Sequence, residues 1–82
     1  MRKIEKMMVE AVEAGRNFSQ SNTRVEVKNG ITRVFLFDNM ICEIKNGKKR
    51  FTDAGWPTVT TASRLRALGA NCCRRGKKII FA

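Results

Sequence analysis

Two Asn-Gly dipeptides, at positions 29–30 and 46–47, each follow a segment in which apolar and charged residues alternate. Asn-Gly accepts the positive φ angles of a two-residue turn, and alternation puts every second side chain on one face. Each dipeptide therefore marks an antiparallel hairpin. The first turn sets a register of Val27 opposite Thr32, Glu26 opposite Arg33 and Val25 opposite Val34, which makes a cross-strand pair of opposite charges. A further turn at Asp38-Asn39 joins residues 31–37 to 40–45, and Asn46-Gly47 leads into 48–51. The expectation is a meander of three strands plus a short fourth. Strict alternation places Phe35, Phe37, Met40, Cys42, Ile44 and Phe51 on one face and Val25, Val27, Val34, Leu36 and Ile41 on the other. Both faces then need cover, from two helices or from one helix and a second subunit, so a homodimer is among the arrangements the pattern allows.

The flanks supply the helices. Ile4, Met7, Met8, Ala11 and Val12 recur at helical spacing over about residues 2–14, with Gly15 as the C-terminal cap and Glu5, Glu10 and Glu13 off the apolar stripe. Residues 17–22 read as a polar connector broken by Phe18. Thr58 can cap a helix over about 59–68, closed by Gly69, with Val59, Ala62, Leu65 and Leu68 inward and Thr60, Ser63, Arg64 and Ala67 outward. Residues 70–74 and 77–81 read as a terminal hairpin around Arg75-Gly76. The predicted class is α+β, with an N-terminal helix, an antiparallel β-meander, a second helix and a C-terminal β-hairpin, as one small basic domain over 1–82.

Charge constrains the partner. Lys and Arg number 17 against 7 Asp and Glu, with no His, for a net charge of +10. Residues 1–41 carry seven basic and five acidic side chains and residues 42–82 ten and two, with no acidic residue after Asp53. Self-repulsion on that scale destabilises a small compact domain unless a partner neutralises it, above all a polyanion such as a nucleic acid. Solubility would explain a positive charge but not its concentration in one half.

Two basic hairpin tips concentrate the excess: Lys48, Lys49 and Arg50 after the second Asn-Gly, and Arg74, Arg75, Lys77 and Lys78 around Gly76. Arg74 and Lys77 would face each other across the latter turn, an unfavourable pairing that phosphate would relieve; edge protection by lysine is the structural alternative. In the second helix, Thr60 and Ser63 with Arg64 and Arg66 suit a helix that approaches phosphates and bases. A helix followed at once by a basic hairpin has the order of a recognition helix and its wing, although no positioning helix precedes it. Trp56, between Gly55 and Pro57, suits either a core plug beneath a loop or a stacking surface for a base.

Other chemistries have little to work with. There is no His, no Tyr and no phosphate-cradling loop of the Walker type. Glu43 and Lys45 with Asp38 or Asp53 are a faint match to a metal-dependent nuclease, but Glu43 pairs more simply with Arg50 across a hairpin. Three cysteines, two of them adjacent, suit small buried thiols better than a disulfide framework or a zinc site. No apolar run approaches a membrane span. The expectation is a non-enzyme with no metal and no cofactor.

The run Val34-Phe35-Leu36-Phe37-Asp38-Asn39-Met40-Ile41-Cys42, followed by Gly55-Trp56-Pro57-Thr58-Val59-Thr60-Thr61-Ala62-Ser63-Arg64-Leu65-Arg66, resembles small proteins of tailed bacteriophages. Those show a Leu-x-Gly-Asn-x-Ile-Ala strand turn and a Gly-Trp-x-Thr-x-Thr-Thr-x-Ser-Arg-Leu-Asn helix start. The resemblance covers about residues 22–69 and departs where Asp38 replaces Gly and Arg66 replaces Asn. It implies a phage origin and the host-cell cytoplasm, without implying a mechanism. Two functions follow as expectations. One is a non-catalytic nucleic-acid-binding module, with duplex DNA favoured over RNA. The other is a small protein that binds and inhibits or redirects a host protein.

Overall fold

The computed structural model describes residues 2–82. Helix α1 spans Lys3–Ala14. Strands β1 (Phe18–Gln20), β2 (Thr23–Lys28), β3 (Ile31–Leu36), β4 (Asn39–Lys45) and β5 (Lys48–Phe51) form one antiparallel sheet in chain order. Helix α2 (Val59–Ala67) follows, and β6 (Cys72–Arg75) and β7 (Lys78–Phe81) form a separate hairpin. The class and element order match the α+β expectation. The sheet has one strand more than expected, because Phe18–Gln20 pairs with Thr23–Val25 instead of serving as a connector. The side chain of Asn17 assists by accepting from the Val27 N–H at 2.7 Å.

The β2–β3 register is the expected one, with Val25 opposite Val34, Glu26 opposite Arg33 and Val27 opposite Thr32. The face assignment differs beyond β3. Val34 pairs with Cys42 while Phe35 pairs with Met40, so Ile41 is an extra residue in β4, a bulge. One inserted residue moves every later side chain of β4 to the opposite face. Cys42, Ile44 and Phe51 therefore share a face with Val25, Val27, Val34 and Leu36, and Ile41 joins them in the core. Both helices pack on this side, α1 through Met8 and Ala11 and α2 through Ala62 and Leu65, all buried. The opposite face carries no helix and is mostly charged. The expectation of two apolar faces is corrected by the bulge, and both helices cover the one apolar face.

Both helices end as the sequence indicates. Gly15 closes α1 at φ 65, where its N–H bonds back into the last turn. Thr58 Oγ1 accepts from the Thr61 N–H at 3.1 Å and so satisfies one of the orphan donors of α2. The inner face of α2 is rotated from the expected one, however. Thr61, Ala62, Arg64 and Leu65 are buried, whereas Val59 is 58% exposed.

Candidate nucleic-acid interface

Arg64 lies in the core. Its NH1 donates to Glu5 Oε2 at 2.7 Å and its Nε to Thr23 Oγ1 at 3.1 Å, with each residue of the ion pair about 3% exposed. Ser63 Oγ donates to the same Glu5 oxygen at 2.5 Å. Burial alone would raise the Glu5 carboxyl, but hydrogen bonds from Ser63, Arg64 and the Arg2 N–H outweigh it and hold the group below its ordinary 4.5. Arg64 and Ser63, expected on the binding surface, are thus engaged in joining α2 to α1. The physical reason is that Glu5 falls on the buried face of α1, one turn before Met8, and needs a counter-charge there. Arg66 is exposed and remains available on α2, and Thr60 is half-buried in its first turn.

The helix-free face of the sheet gathers more of the basic residues. Along one cross-strand row Lys28 and Ile31, Ile31 and Lys45, and Lys45 and Lys48 are direct partners, so three lysines occupy one line at the Asn-Gly end of the meander. The next row is Glu26, Arg33, Glu43 and Arg50, alternating in sign, with Arg33 Nε donating to Glu43 Oε2 at 3.2 Å. The following row is Arg24, Phe35 and Met40, where the Arg24 guanidinium lies 4.3 Å from the Phe35 ring centroid and bonds to Glu26 and Asp38. Among the described residues, only Arg24, Arg33 and Arg64 of the 17 basic side chains have a carboxylate partner. The row of Lys28, Lys45 and Lys48 has none. Neither lysine alignment nor face is visible from charge runs alone; it emerges only when the register is known.

The first basic tip is split between the two faces. Lys48 and Arg50 point to the open face, while Lys49 points to the helix side and donates to the Leu68 carbonyl at 3.1 Å. That bond satisfies an orphan acceptor at the C-terminal end of α2, where a cation is also favoured by the helix dipole. The terminal hairpin turns at Gly76-Lys77, with Gly76 at φ 61, so Arg75 faces Lys78 and Arg74 faces Ile79. This is one residue away from the expected pairing of Arg74 with Lys77. A glycine at the first central position suits a type II′ turn, which moves the turn forward by one. Like charges still meet across the hairpin. Arg74 lies on the side of the buried Ile79 and donates to the Pro57 carbonyl at 2.9 Å, leaving Arg75, Lys77 and Lys78 at the exposed tip. The two basic tips consequently sit at opposite ends of α2, one near Leu68 and the other near Pro57.

Trp56 is not a core plug: it is 61% exposed, and Phe37 beside the neighbouring turn is 67% exposed. Both line an apolar cavity of about 440 Å³ whose floor includes Leu36 and Ile41. Of the three free cysteines Cys42 and Cys72 are buried, as expected of small core thiols, while Cys73 is exposed. Burial pushes the Cys42 thiol up to about 11, and it raises Cys72 as well, partly offset there by nearby Arg66. Among the described residues no three acidic or cysteine side chains converge as a metal site would require, and no helix is long and apolar enough to cross a membrane.

No curated protein and no solved structure matches the chain. A family model described as Kyanoviridae Gp96 protein matches residues 1–82, in keeping with a phage origin. The chain belongs to this bacteriophage family, the Kyanoviridae Gp96 proteins.

Proposed function

We propose that this phage protein is a non-catalytic nucleic-acid-binding module of the host-cell cytoplasm, with the helix-free sheet face as its main phosphate-contacting surface. The observation that carries the reading is the row of Lys28, Lys45 and Lys48, in which Lys45 and Lys48 are direct cross-strand partners, Lys28 lies on the same line across Ile31, and none has a carboxylate partner among the described residues. Such a row costs stability in the free protein. Phosphate relieves that cost, and released counterions add to the binding free energy. Arg75, Lys77 and Lys78 form a second contact at the hairpin tip.

The test uses protein freed of nucleic acid at high salt and a short DNA duplex titrated over a range of salt concentrations. Replacing Lys45 and Lys48 by Ala should weaken binding on all sequences and flatten the log–log salt slope by about two units. The Arg75→Ala/Lys77→Ala pair measures the hairpin's share in the same way, with Gln20→Ala as a neutral control. Thermal midpoints must not fall for either comparison to count. Unchanged affinity and slope in both double variants would refute the reading. A host protein as partner is favoured by a different observation, the exposure of Ile80 and Phe81 at 48% and 41%. Capture of one host protein from nuclease-treated lysate by the wild type, and not by Ile80→Lys, would support it.

A further inference from the structure

The cavity lined by Phe37 and Trp56 combines three features that belong to one ligand chemistry. Its body is apolar, with Leu36 and Ile41 in the floor and two aromatic rings at the rim. Neither ring serves the core, since both are more than half exposed. Phe37 is moreover held outward at φ 50, within a turn where Asp38 also has positive φ, a conformation that side-chain-bearing residues rarely adopt. Strain retained around an exposed aromatic ring is a reason to ask what the ring contacts.

The second feature is polar and local. Asn39 and Asp53 line the same cavity. The Asn39 Nδ2 donates to the Phe37 carbonyl at 3.1 Å, and Asp53 Oδ1 accepts from the Gly55 N–H at 2.8 Å. The other carboxylate oxygen of Asp53 and the amide oxygen of Asn39 are acceptors suited to an amino group on a planar ring. The third feature is charge. The bond from the exposed Arg74 to the Pro57 carbonyl holds the basic terminal hairpin against the Trp56-Pro57-Thr58 segment, whose Trp56 and Thr58 line the cavity. A volume of 440 Å³ lies within the roughly 300–1,000 Å³ of small-ligand sites.

We infer that this cavity receives an unpaired nucleobase of a single-stranded nucleic acid, with the adjoining phosphates on the terminal hairpin. The inference rests on the nucleic-acid-binding reading and adds the part of the strand that is recognised. A flat apolar ring matches the aromatic rim, the anionic backbone matches the basic hairpin that Arg74 anchors to the Pro57 carbonyl, and the carboxylate of Asp53 favours bases that carry an amino group over thymine or uracil. A purely apolar protein side chain would fill the cavity and leave the acceptors of Asp53 and Asn39 unmatched.

Trp56 is the single tryptophan of the chain, so its fluorescence reports on the cavity directly. The full chain is titrated with oligo-dC, with a duplex of the same length, and with an abasic oligomer of the same phosphate count. Oligo-dC should quench Trp56, while the abasic strand and the duplex bind without quenching. Phe37→Asn should weaken oligo-dC binding at least about five-fold and leave abasic and duplex binding unchanged. Asp53→Asn should narrow the preference for oligo-dC over oligo-dT. Equal binding of oligo-dC and abasic strand without quenching overturns the inference and leaves phosphate binding in place. Failure of all three to bind at low salt overturns both readings. If Phe37→Asn keeps its oligo-dC affinity and loses capture of a host protein, the cavity is a protein-docking site and the inference falls.

Discussion

Glu5 and Arg64 illustrate how a single residue can change roles once its neighbours are known. An arginine in a Thr- and Ser-rich helix start looks like a phosphate ligand, yet here it neutralises a carboxylate buried beside Met8. Breaking a buried pair leaves an unpaired charge, so Arg64→Ala should cost about 3–5 kcal/mol in chemical denaturation, whereas Arg66→Ala, on the exposed flank, should cost under about 0.5 kcal/mol. A loss of nucleic-acid binding in Arg64→Ala would then reflect unfolding. The same carboxyl predicts a pH dependence. Its pKa is lower folded than unfolded, so its contribution is present above the ordinary 4.5 and is lost as pH falls through the depressed folded value. Equilibrium unfolding of the wild type should therefore weaken more steeply below about pH 4.5 than that of Glu5→Gln. Phe37 makes the opposite case. Asn tolerates positive φ better than Phe, and little of the ring is buried, so Phe37→Asn should stabilise the fold by roughly 1 kcal/mol. A rise in thermal midpoint with a fall in single-strand affinity would separate the ring's function from its structural cost.

Elements differ in how openly the chain announces them. The hairpins at Asn29-Gly30 and Asn46-Gly47 are legible because few residue pairs accept positive φ at both central positions, and both turns have it. The helices are legible from period, Gly15 and Thr58. Strand β1 is not, since three residues with one aromatic carry no period and owe their pairing to β2. The bulge at Ile41 is hidden for a different reason: it is a count of residues between hydrogen-bonded partners, and residue type barely marks it. Its consequence reaches the candidate site, because the bulge turns Cys42 and Ile44 inward and Glu43 and Lys45 outward. Lys45 thereby joins Lys28 and Lys48, and the interface we propose lies largely on the sheet instead of on helix and wing. Thiol chemistry tests the resulting burial. Cys42 and Cys72 lie inside with raised pKa values while Cys73 is exposed, so one of the three thiols should react promptly with an aromatic disulfide reagent at neutral pH. All three should react in denaturant. Prompt reaction of Cys42 in the folded protein would contradict the inward turn of β4.

At the scale of the whole molecule, the net charge of +10 should make stability and the proposed binding respond to salt in opposite directions. In the free protein the unpaired basic rows repel, and the screening length falls from about 10 Å at 0.1 M salt to about 3 Å at 1 M. Added salt should therefore raise the thermal midpoint. The exposed pairs of Arg24 with Glu26 and Asp38 and of Arg33 with Glu43 oppose this, but such pairs contribute little each, and the buried Glu5–Arg64 pair is screened least. With a saturating single-stranded oligonucleotide the midpoint at low salt should be higher still, because a ligand that binds only the folded state stabilises it by mass action. That increment should shrink as salt displaces the phosphates, so the curves with and without oligonucleotide should converge as salt rises toward about 1 M. Scanning calorimetry across a salt series measures both curves at once. Replacing Lys45 and Lys48 by Ala should raise the free protein's low-salt midpoint and reduce the oligonucleotide's increment together, since the same repulsion is the source of both. A variant that changes one without the other would break the link between the lysine row's structural cost and its use.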